Sequence, residues 1–115
     1  MAYRKDYSID KASKFDIEVT TTTGGAPLSL ESAVIEFAAS VDYSTPPIMS
    51  KSSADPNKIE ITNSDDGQFT VHITEEDTDV DISFPTDYLY DIRVSYTNES
   101  AIVLYGTITI MPRLT

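Results

Sequence analysis

Alternation with a period of two governs this chain, and its longest instance is YLYDIRVSY, residues 88 to 96. Tyr88, Tyr90, Ile92, Val94 and Tyr96 fall on one side of an extended backbone, while Leu89, Asp91, Arg93 and Ser95 fall on the other. Only a strand buried on one face places apolar side chains at every second residue; a helix would need them three and four apart. Three tyrosines on the inner side suit a core position, where the rings fill volume and the hydroxyls reach a carbonyl or water near the rim.

The same pattern recurs along the chain. In KFDIEVT, Phe15, Ile17 and Val19 alternate with Asp16, Glu18 and Thr20. GGAP, residues 24 to 27, then brings turn chemistry, and a second strand runs from Ala33 to Ala39 with Ile35 and Phe37 inward. Ile48 to Ser50 is expected as a short edge strand after the Pro46-Pro47 loop, and Asp55-Pro56-Asn57 as a turn. KIEIT (58–62) and QFTVHIT (68–74) flank Ser64-Asp65-Asp66-Gly67, where Asp-Gly supplies the positive φ of a tight hairpin. Thr74 followed by Glu75, Glu76 and Asp77 reads as an N-cap with acids in the first turn, so at most a one-turn helix forms near residues 75–79. After YLYDIRVSY, Asn98-Glu99 turns the chain into a last strand, Ala101 to Met111, whose inner face carries Ile102, Leu104, Ile108 and Ile110. About seven strands with turns every 8 to 12 residues predict an all-β protein, a single antiparallel β-sandwich of immunoglobulin-like type. In that fold a tyrosine near the start of the sixth strand bonds back to the corner before it, a role open to Tyr88 or Tyr90.

At 115 residues the chain is long enough to bury a core without metal or disulfide, and it has no cysteine. No apolar run approaches the roughly 20 residues of a membrane-spanning helix. The first residues lack the apolar stretch of a secretory signal, so secretion is not expected. The net charge of −11 repels phosphate backbones and argues against nucleic acid. Charge is uneven: four of the eight basic residues, Arg4, Lys5, Lys11 and Lys14, lie in the first fourteen against two acids, leaving that stretch at +2 and the rest at −13. Residues 1–14 are therefore expected to be a basic arm that docks on an acidic neighbour, with the sandwich domain spanning 15–115. On that reading, deleting residues 1–14 leaves the fold intact and weakens assembly.

Residues that could carry chemistry are few. Five carboxylates lie within Glu75 to Asp81, which nominates Asp77, Asp79 and Asp81 as calcium ligands. Against this, a calcium-binding loop starting at Asp77 would need glycine at its sixth position and glutamate at its twelfth, where Ile82 and Tyr88 stand. His72, the one histidine, has the parity of the outward residues in its strand, and no nucleophile or phosphate-binding motif accompanies it. The expectation is no enzyme and no cofactor. Tyr43, in a loop, and Tyr105, opposite in parity to Leu104 and Ile108, are candidate stacking surfaces for a glycan or receptor.

Taken in order, ITNSDDGQFTVHITEEDT, YLYDIRVSY and LYGTITIMPRLT resemble a small β-sandwich domain of tailed-bacteriophage virion proteins. The resemblance rests on Asp66-Gly67, Thr74 to Thr78, Tyr88 to Asp91, Gly106, and Pro112 with Thr115; it extends to the Phe15 strand, the Gly-Gly turn and Pro27-Leu28-Ser29-Leu30. Ser29 and Ser32 stand where that family has an acid and a glycine. The resemblance covers about residues 14 to 115 and consists of turn and core positions. It implies a virion component, either a capsid decoration or head accessory subunit or a tail or baseplate adaptor, binding other virion proteins and forming a homo-oligomer. It also implies a stand-alone subunit or a domain of a longer chain. A glycan- or receptor-binding sandwich is the alternative.

Overall fold

A computed structural model of the chain describes residues 3–23, 26–27 and 29–113. Eleven strands and one helical turn follow in the order β1 (Tyr3–Arg4), β2 (Tyr7–Asp10), β3 (Phe15–Thr20), β4 (Thr22–Thr23), β5 (Ala26–Pro27), β6 (Val34–Ser40), β7 (Met49–Ser52), β8 (Ile59–Asn63), β9 (Gln68–Ile73), α1 (Glu75–Thr78), β10 (Thr86–Ser95) and β11 (Ser100–Met111). The seven expected strands are β3 and β6 to β11. One sheet has the order β1-β11-β10-β6-β7, with β2 also on β11, and the other has the order β3-β9-β8. These are the C′-C-F-G and B-E-D arrangements of an immunoglobulin-like sandwich.

The alternation read from the sequence is the alternation of burial, except that a register shift at Ile92/Arg93 in the β10–β11 ladder sets Ile102, expected inward, opposite the exposed Arg93. Ile17, Ile35, Phe37, Phe69, Val71, Ile73, Tyr88, Tyr90, Ile92, Val94, Leu104, Ile108 and Ile110 are all buried between the sheets. Phe37 and Tyr90 bring their rings to 5.9 Å across neighbouring strands, a tilted contact that adds to the burial of each. The β8–β9 hairpin closes through Gly67 at φ 70°, and Thr74 caps α1 in a reciprocal box with Asp77. The turn expected at GGAP separates β4 from β5, a two-residue ladder pairing Thr22 with Pro27; Gly24 and Gly25 lie outside the described residues. Ser32 holds φ 63°, the left-handed region that glycine takes most readily, and Ala12 holds φ 57°.

Two expectations are corrected here. The charge pattern predicts a basic arm over residues 1–14 that lies outside the sandwich, yet β1 and β2 both pair in parallel with β11, Tyr3 beside Leu104 and Tyr7 beside Ile108. Its Tyr7 ring packs 5.7 Å from Phe15 and 5.9 Å from Tyr90, so the segment is part of the sandwich and its deletion removes a core-facing strand. Gly106 makes the link between β1 and β2 possible: a Cβ there would lie 2.2 Å from the Lys5 carbonyl oxygen. The second correction concerns the tyrosine corner. The Tyr90 hydroxyl donates to the Lys5 carbonyl at 2.6 Å, so it ties the N-terminal segment to the core and not the corner before its own strand.

Candidate functional site

β6 and β10 are antiparallel with Ser40 opposite Leu89, so the loop leaving β6 and the connection entering β10 lie at the same end of the sandwich. That end carries exposed large apolar side chains: Tyr43 is 83% and Phe84 70% exposed, joined by Val41 and Ile48. The loop presenting Tyr43 is held rigidly. Asp42 accepts from the backbone N–H groups of Ser44 at 2.8 Å and Thr45 at 2.7 Å, the Ser40 hydroxyl donates to the Thr45 carbonyl at 2.8 Å, and the Ile48 N–H closes the loop on Ala39 at 2.8 Å. Hydrogen bonds from Thr45 and Ser44 hold the Asp42 carboxyl below its ordinary pKa. Pro46 and Pro47 stiffen the return. Beside Tyr43 a hollow of 180 Å³, bordered by Asp42, Thr45, Pro47, Leu89 and Asp91, opens on the outer face of the sheet. An aromatic ring on a pinned loop meets a partner with little ordering cost, which is the economy seen in tyrosine-rich binding loops.

The four basic residues proposed for partner binding do not form one patch. Arg4 Nε pairs with Asp6 at 3.4 Å, the Lys11 ammonium with Asp79 at 3.8 Å, and the Lys5 ammonium lies 5.4 Å from the centre of the Tyr7 ring. Lys14 is exposed on the turn before β3. Strand pairing spreads Arg4 and Lys5 along the edge, and Arg4 and Lys11 meet carboxylates within the chain.

The weak calcium candidates Asp77, Asp79 and Asp81 do not come together. Asp77 Oδ2 is occupied by the Lys51 ammonium at 2.7 Å and the Thr74 N–H at 2.8 Å, and Asp79 faces Lys11, so no three carboxylates converge among the described residues. A cation would have to displace a buried lysine from its partner. Burial works to raise the Asp77 pKa, but the hydrogen bonds from Lys51 and Thr74 outweigh it and the net direction is downward.

His72 lies on the outer face of the smaller sheet as expected, between Asp16 at 2.9 Å and Glu60 at 3.3 Å. The hydrogen bond to Asp16 leads in raising its pKa. Asp16 and His72 border an open hollow of 860 Å³ that also takes in Lys14, Thr74, Glu75 and Glu76. The row is half exposed to solvent and is a hydrogen-bonded cross-strand row on a sheet face. Tyr105 is 38% exposed on the outer face of β11, in keeping with its parity. Sequence reasoning did not single out Phe84, although a phenylalanine between Ser83 and Pro85, outside any alternating run, has no inner face to occupy.

No family model matches the chain, and no curated protein matches it. Among solved structures it is similar in fold to the NK cell receptor NKp44, a triggering partner in natural cytotoxicity, with a TM-score of 0.53 over 97% of this chain and 100% of that one. The chain is an immunoglobulin-like β-sandwich. At 11% identity the likeness extends to the fold alone.

Proposed function

We propose that this protein is a non-enzymatic, protein-binding structural subunit of a tailed-bacteriophage virion, acting as a capsid decoration or head accessory subunit or as a tail or baseplate adaptor. The observation that supports it best is the pinned loop that holds Tyr43 almost fully in solvent, with Phe84 exposed at the same end. Two large aromatic rings left in water on a rigid scaffold favour a macromolecular partner, because burying them supplies the anchor contacts of an interface. The virion context comes from the sequence resemblance in its turn and core residues. Other virion proteins, including further copies of this chain, are the partners on this reading, and its location is the particle.

Quantitative mass spectrometry of purified virions tests the reading. The chain should be present at a copy number matching a symmetric position of the head or tail, and Tyr43→Ser should lower that number while the isolated variant melts as the parent does. Absence from the particle refutes the virion reading. A glycan-binding reading draws support from the hollow beside Tyr43, which Asp42 and Asp91 also line; binding of the isolated chain on a glycan array, lost in Tyr43→Ser, would favour it instead.

A further inference from the structure

The smaller sheet has an open side. An immunoglobulin-like sandwich seats its first strand next to the second, on the sheet that carries strands E and D. Here the N-terminal strands pair with β11 in the other sheet, and among the described residues no strand pairs with the outer side of β3. The direction of its backbone groups follows from the register. The Thr21 N–H donates to the Gly67 carbonyl at 2.8 Å, and ladder bonds of an antiparallel pair recur at every second residue. Ile17 and Val19, opposite Val71 and Phe69, therefore bond to β9, which leaves the N–H and C=O groups of Asp16, Glu18 and Thr20 facing outward.

Other sheet edges carry the features that deter pairing. β7 is four residues long with Lys51 pointing inward, and β8 is broken by a register shift between Ile61 and Asn63. β3 runs six residues in unbroken register with no proline, lysine or bulge. Alongside it a hollow of 320 Å³ separates the two sheets, walled by Val19 on one side and by Tyr3, Tyr7 and Val103 on the other.

We propose that the β3 edge binds an extended segment of a partner protein, in which basic and apolar residues alternate, by adding it as a fourth strand to the smaller sheet. Residues of such a strand that bond to Asp16 and Glu18 lie on their face and meet two exposed carboxylates, so lysine or arginine fits there. The residues between them point to the hollow, where apolar side chains fit. Main-chain bonds supply the affinity and the alternating side chains the choice of partner. A second copy of this edge is a poor occupant: pairing β3 with β3 sets carboxylates against carboxylates in a chain of net charge −11. This inference needs no virion and stands apart from the Tyr43 surface.

The test uses the full chain, isotopically labelled, with a capped heptapeptide alternating lysine and valine as probe and its glutamate–valine counterpart as control. Amide exchange read by NMR should slow roughly tenfold at Asp16, Glu18 and Thr20 with the lysine peptide, and stay unchanged at Ile17 and Val19. Glu18→Pro removes an outward N–H together with one of the two carboxylates, while the ladder to β9 survives, so peptide binding is lost. Glu18→Lys, an exposed change that keeps the fold, should weaken the lysine peptide and admit the glutamate one. The proposal is overturned by protection at β7, by equal binding to Glu18→Pro, or by no protection at millimolar peptide. Protection of the same three amides that grows with protein concentration in the absence of peptide would assign the edge to a second copy and overturn the basic partner.

Discussion

Lys51 and Asp77 offer an unequal pair whose two halves should fail by different amounts. The Lys51 side chain is 5% exposed and points inward from an edge strand, while the Asp77 side chain is 22% exposed at the first turn of α1. Asp77→Asn keeps a side-chain oxygen for the Thr74 N–H but leaves the lysine charge buried without its partner, which costs about 3 kcal/mol by analogy with broken buried pairs. Lys51→Met removes the more deeply buried charge, and the methionine occupies the path of the lysine stem. Asp77 then relaxes toward solvent and keeps its bond from Thr74, so this loss should be about 1 kcal/mol. The double variant should be more stable than Asp77→Asn alone. Urea unfolding followed by far-ultraviolet circular dichroism is the suitable assay, since the chain has no tryptophan and a guanidinium salt would screen the pair.

The pH dependence carries a sign. Because the Asp77 pKa is lowered in the folded state, its contribution is present above the unfolded carboxyl pKa and is lost as pH falls through the folded value. Asp77→Asn should therefore converge on the parent in acid. Equal losses in the two single variants at neutral pH, or a larger loss for Lys51→Met, would refute the reasoning from burial.

Further outcomes follow from the N-terminal segment and the turns. Tyr90→Phe removes the donor to the Lys5 carbonyl and should cost about 1 kcal/mol by urea unfolding, with faster amide exchange at Lys5, whose N–H bonds to Tyr105. Gly106→Ala should detach the β1–β2 link and destabilise by roughly 2 kcal/mol or more, accompanied by proteolytic cleavage near Lys5. Ser32→Gly relieves a left-handed conformation and should raise stability by up to about 1 kcal/mol in the same measurement. His72→Gln should lower stability in mild acid by about 0.5 kcal/mol. Because the folded pKa of His72 is raised, that difference is full below the unfolded histidine pKa and vanishes as pH rises through the folded one.

The strands most legible in the sequence are those whose alternation is long enough to define a face. β10 shows this over nine residues, and β9 is anchored by the Asp66-Gly67 turn before it. β1 and β2 were missed because parallel pairing with a strand from the far end of the chain leaves no local turn to announce it. The alternation of Tyr7 and Ile9 was present but short, and lay among charges that suggested an arm. The calcium reading failed for a related reason: spacing along the chain cannot disclose that Lys51, in another strand, already holds Asp77. Tyr43 was legible as a loop residue, whereas the hydrogen bonds that fix its loop depend on how Asp42 is oriented.

The bond from the Thr107 N–H to Asp6 joins residues 101 positions apart, and among the described residues β1 and β2 find their strand partner in β11. During synthesis on the ribosome, β1 and β2 emerge long before β11 and must stay unpaired until it is made. Closing so long a loop comes late and pairs slowly. Until then the inner rings of Tyr7 and Tyr90 are exposed to solvent together, so the nascent sandwich passes through a stage in which chaperones, or a neighbouring chain's β11, compete for β1 and β2.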